Sequence, residues 1–115
     1  MPTIIWEVRD PLGNAVRLTR EAWNHVLLEH PERRFLGGHE SAAKTTVEDP
    51  DVCTRETDGS INYYRTGTMR RYPSLYMHVL VRRSADGAGE VETIWPSRVI
   101  DPAEEYLWIR GMKRS

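Results

Sequence analysis

The sequence predicts an α+β fold: an N-terminal hairpin and helices packed on one face of an antiparallel β-sheet of about four strands, with a short C-terminal helix. Three observations lead there. Helical periodicity is confined to the first half, residues 52–95 alternate in strand fashion, and turn-forming dipeptides separate the alternating runs. The chain of 115 residues is long enough for a core and is expected to form one domain, 1–115.

Each element has a local reason. "TIIWEVRD" is a β-branched and aromatic run, "DPLGN" a turn, and "AVRLT" the returning strand of a hairpin. Thr19 occupies the N-cap of a helix over 20–30, "REAWNHVLLEH", which Pro31 ends by disfavouring helical geometry before it. A second helix is expected from Glu40 to Glu48, stopped by Asp49 and Pro50. "VCTRET" and "INYYRT" flank Asp58-Gly59, a hairpin signal; "LYMHVLVRR", the turn "ADGAG" and "EVETIW" complete a meander. Asp101 as N-cap and Pro102 at the first position predict the terminal helix over 102–109.

Composition narrows the function classes. Hydrophobic residues make up 39% and charged residues 29%, and no apolar run could cross a bilayer, so no membrane partner is expected. The N-terminus lacks the basic start and cleavage site of a signal peptide and is expected to be mature structure, which with the single Cys53 points to a cytoplasmic protein. A net charge of -1 argues against bulk electrostatic capture of nucleic acid. Local basic runs occur at 65–71, at Arg82 and Arg83, and at 110–114, so a basic patch and a solvated mixed-charge surface are both open.

The histidines sit on different faces. On a helical wheel Ala22, Trp23, Val26, Leu27 and His30 share the apolar side, while Glu21, Asn24 and His25 lie opposite. His30 can therefore serve as a packed or capping residue near the helix C-terminus, and His25 as an exposed one. In "LYMHVLVRR", alternation puts Leu75, Met77, Val79 and Val81 on the core face and Tyr76, His78, Leu80 and Arg82 on the other. It likewise groups Tyr63 with Arg65, and Thr93 with Trp95; whether Arg65 and Thr93 share a face depends on register.

Several chemistries find no support. Neither C-x-x-C nor H-E-x-x-H occurs, so no metal or other cofactor is expected. Cys53 has no nucleophile signature, and Gly37-Gly38 is a pair without a phosphate-binding loop. What remains is metal-free acid/base chemistry with histidine, arginine and hydroxyl groups. Histidine exchanges protons near neutral pH, and arginine stabilises phosphate charge through paired donors. That set suits RNA, whose 2′-hydroxyl is its own nucleophile.

In order, "VRLTREAWNHVLLEHPE", "TTVEDPDVCTRETDGSINYYR", "LYMHVLVRR" and "VETIW" resemble phage-type members of the barnase, EndoU, colicin and RelE nuclease superfamily, over about residues 6–95. The resemblance implies helices against an antiparallel sheet and a metal-independent ribonuclease of toxin or phage-effector type. It implies His25 and His30 as acid/base groups, Arg65 as the phosphate-binding arginine, Thr93 as a hydroxyl of the site and Trp95 as a stacking surface. Alternation adds His78 and Tyr63, and the basic run adds Arg71, as substrate-binding candidates. RNA is the expected partner, together with a protein inhibitor of immunity or antitoxin type. Pro96 and the charged extension after Trp95 depart from the family pattern. The alternative is a non-catalytic module of the same fold that binds RNA or protein.

Overall fold

The computed structural model describes residues 3–111; Met1, Pro2 and 112–115, which include most of the basic run at 110–114, lie outside them. The elements are β1 (Ile4–Arg9), β2 (Ala15–Thr19), α1 (Arg20–Glu29), a 3₁₀ helix (Pro31–Leu36), α2 (Glu40–Glu48), β3 (Val52–Arg55), β4 (Ile61–Arg65), β5 (Tyr76–Arg83), β6 (Gly89–Ser97) and β7 (Glu105–Ile109). The α+β class holds, and the local devices act as expected. Thr19 accepts the Ala22 amide at 3.1 Å as N-cap of α1. At the β3–β4 hairpin, Gly59 takes φ 88° and Asp58 accepts the Ser60 amide at 2.9 Å.

Two expectations are corrected. The sheet has seven strands where about four were expected, in the order β1-β2-β6-β5-β4-β3-β7, because the N-terminal hairpin adds two and β7 a further one. β2 runs parallel to β6 through Val16↔Gly89 and Arg17↔Glu90, so the sheet is mixed where an antiparallel one was expected, and Arg17 clamps the junction by donating to Glu90 at 3.0 Å and Asp86 at 2.9 Å. The segment expected as a terminal helix is instead β7, paired antiparallel with β3. Tyr106, Leu107, Trp108 and Ile109 are aromatic or aliphatic, and the outer edge of β3 offers them a ladder of backbone partners that outweighs the local cap signal.

The core forms where Trp23 and Val26 of α1 and Ala43 and Val47 of α2 meet Leu18, Met77, Val79 and Ile94. Burying each large aliphatic side chain stabilises the fold by roughly 1.5–3 kcal/mol. The Trp6 indole N–H donates to the Glu40 carbonyl at 2.9 Å and fixes the start of α2 against β1. Asp10 is buried and accepts from the Leu12 and Asn14 amides and, at 2.7 Å, from the Tyr63 hydroxyl, so the first turn is bonded to the middle of the sheet.

One irregularity positions the candidate site. β2 and β6 pair only at Val16 and Arg17, so from Val91 onward β6 has no strand on that side. The end of α1 and the 3₁₀ helix occupy the gap.

Candidate active site

At that gap lies an open cleft of about 430 Å³, lined by His25, His30, Arg33, Glu92, Thr93 and Trp95. Four residues singled out in the sequence, His25, His30, Thr93 and Trp95, therefore meet. The wheel separates the two histidines, but His30 is the C-cap of α1 with φ -126° and ψ 79°, outside helical geometry. Leaving the helix turns its side chain back, and the rings stand 6.5 Å apart, edge to face. His30 is accordingly not a member of the core, and its side chain is 35% exposed against 52% for His25.

Each imidazole has a carboxylate beside Nδ1: Glu29 at 3.4 Å from His25, and Glu32 at 3.5 Å from His30. These are loose contacts between partly exposed groups, outside hydrogen-bond geometry and weak as stabilisers. The Arg33 guanidinium donates to the Thr93 hydroxyl at 3.0 Å and lies 5.5 Å from the centre of the Trp95 ring, a cation–π distance. Arg33 is absent from the sequence-derived set. Its signal is the "HPERR" string: a 3₁₀ helix stacks residues three apart, so Arg33 falls one turn beyond His30.

The expected phosphate-binding arginine lies elsewhere. Register puts Arg65 opposite Met77, and Tyr63 opposite Val79, on the helix-bearing face, whereas Thr93 pairs with Leu80 on the other. Arg65 and Thr93 thus face opposite sides, and Arg65 donates to the Asp49 carboxylate at 2.7 Å. With Arg110 and Asp51 it forms an ionic cluster that ties the end of α2 to β4 and to the residue after β7. The Arg65 hydrogen bond holds the Asp49 carboxyl below its ordinary range. Burial works against Asp51, but bonds from the Thr66 amide and Arg110 outweigh it and lower that carboxyl too.

Tyr63 is buried, and burial followed by the Asp10 contact pushes its phenol far above the usual value, so it offers no hydroxyl to a substrate. His78 keeps the predicted face but is 2% exposed, packed between Tyr64 at 4.1 Å and Trp95 at 3.9 Å, ring centre to ring centre. Its Nε2 lies 2.6 Å from the Asn62 side-chain oxygen, and burial lowers its pKa to about 4. It is a buried neutral ring behind Trp95 and not a surface group. Arg71 is exposed in the loop after β4 and does not line the cleft. The remaining histidine, His39, occupies the N-cap position of α2 without a side-chain bond to the helix, its Nδ1 lying 3.2 Å from the Leu36 carbonyl.

Among the described residues no three His, Cys, Asp or Glu side chains are grouped to hold a metal ion, and no helix is long and apolar enough to cross a membrane. Comparison with protein-family models, with curated proteins and with solved structures finds no match, so the chemistry has to be read from the cleft itself.

Proposed function

We propose that the protein is a metal-independent endoribonuclease, of toxin or phage-effector type, acting in the cytoplasm and cleaving RNA at the His25, His30, Arg33 and Thr93 cleft. The observation that carries this reading is the spacing of the imidazoles, 6.5 Å apart with an arginine between the 3₁₀ helix and β6. In-line displacement at phosphorus puts the attacking and departing oxygens on opposite sides, so a base and an acid have to flank the phosphate with room for it between them. One imidazole removes the 2′-hydroxyl proton as that oxygen attacks phosphorus. The other delivers a proton to the departing 5′-oxygen, leaving a 2′,3′-cyclic phosphate, and Arg33 stabilises the charge that builds on the phosphoryl oxygens.

The test is cleavage of a labelled RNA in EDTA, with product ends identified by mass spectrometry. Cyclic phosphate ends, lost in His25→Ala and His30→Ala, are expected; intact RNA at stoichiometric protein, or undiminished cutting by His25→Ala, would sink the proposal. An RNA- or protein-binding module is favoured by one feature, the existing bond between Arg33 and Thr93 that occupies both groups. It predicts binding without turnover and harmless expression, whereas a ribonuclease predicts toxicity relieved by a protein inhibitor.

A further inference from the structure

The helices cover the sheet face incompletely. α1 packs on β2 and β6, and α2 on β1, β4 and β5. Toward the turns at 56–60 and 84–88 neither helix packs on the same face, and a cleft of about 540 Å³ opens there, a volume typical of small-molecule sites. It shares no lining residue with the histidine cleft.

Register explains its make-up. Arg55 pairs with Ile61 and Ile61 with Val81, while Arg83 pairs with Gly89 and Gly89 with Val16, so these side chains share one face. Ile61 and Leu107, both partly exposed, supply the apolar lining, with Val81 and Tyr63 buried beneath it. Arginine dominates the charged lining: Arg55, Arg82 and Arg83 against Asp58 alone. Arg82 is bonded to Glu92 and Asp58, and Arg55 reaches Glu105 at 3.5 Å. The Arg83 side chain has no hydrogen bond or ion pair among the described residues, although it stands on the face of Val81 at the mouth of the cleft.

We propose that this second cleft binds a small amphipathic anion, a medium-chain or aromatic carboxylate, with its apolar body on Ile61 and Leu107 and its carboxylate on Arg83. A mixed lining with an apolar strip at Ile61 and Leu107 and one unpaired cation beside it favours that chemistry, because the guanidinium pairs with the carboxylate while the strip covers part of the chain. A cationic amphiphile of equal length would face the arginine excess and be rejected.

The intact protein is titrated with decanoate, below micelle-forming concentrations, while backbone amide NMR shifts are followed. Saturable shifts at Ile61, Val81, Arg83 and Gly89 are expected, with none from acetate or decyltrimethylammonium. Arg83→Gln, on an exposed side chain, is expected to weaken decanoate binding roughly tenfold while Arg83→Lys retains part of it. Ile61→Trp, which fills the cleft, abolishes binding in a protein whose spectrum stays dispersed. Absence of saturable shifts at those amides, equal affinity in Arg83→Gln, or equal binding of the ammonium compound would overturn the proposal.

Discussion

Arg33 donates to the Thr93 hydroxyl at 3.0 Å across the unpaired edge of β6, so the 3₁₀ helix that follows α1 and the sheet share one polar junction. Arg65 makes the corresponding commitment to Asp49 on the opposite face. Under the ribonuclease proposal, Arg33 has a role in chemistry and Arg65 one in architecture.

Arg33→Ala is therefore expected to reduce RNA cleavage by about 100-fold or more, the cost of removing a donor from a developing negative charge. Arg65→Ala should leave the rate near that of the parent and lower stability by at most about 1 kcal/mol, as for other partly exposed ion pairs. Single-turnover cleavage and urea unfolding on both variants check this; a larger rate loss in Arg65→Ala would reverse the assignment.

His78 makes stability depend on pH in a definite direction. Burial lowers its folded pKa to about 4, whereas the unfolded chain titrates near the ordinary value of about 6.5. Above pH 6.5, by this reckoning roughly, neither state carries the proton and the residue adds no slope. As pH falls from about 6.5 to 4 the unfolded state takes up a proton that the folded state refuses, so stability drops, by roughly 3 kcal/mol in total. Urea midpoints across that window should slope downward in the parent and flatten in His78→Phe. Equal slopes would show that the ring titrates freely.

Burial also pushes the Cys53 thiol up to about 12, and the side chain is fully enclosed in β3. The thiolate is the reactive form, so native protein should resist alkylation at pH 8 and react promptly in denaturant. Rapid native labelling with iodoacetamide would contradict the enclosed position.

Asp51 accepts from the Thr66 amide and hydroxyl and from Arg110. Asp51→Ala leaves these donors without their acceptor and should cost about 1–3 kcal/mol, with the histidine cleft unaffected. Thermal unfolding and cleavage rate, measured on one preparation, separate the two effects; a rate loss beyond the change in folded fraction would connect this cluster to the cleft.

Much of the local structure was legible. Thr19, Pro31 and Asp49 mark helix ends through backbone geometry and capping, which act within a few residues, and the Asp58-Gly59 turn marks its hairpin for the same reason. Alternation paired Thr93 with Trp95 on one face and isolated the core set of β5. It gave the face of His78 but not its burial, because a face shared by Tyr64 and Trp95 can still be covered, and alternation reports direction without cover. Arg33 went unseen because no amphipathic period runs through "HPERR".

The sequence by itself determined the α+β class, the limits of α1 and α2, the β3–β4 hairpin and the β5–β6 meander, since each follows from torsional preference, capping or side-chain period over short separations. Only the tertiary structure decided that β2 joins β6, that β7 takes the outer edge of β3, that His30 turns back toward His25, and that Arg33 and not Arg65 reaches Thr93. Strand edges present the same backbone donors and acceptors whatever their side chains, so which edges meet is chosen by packing of the whole chain.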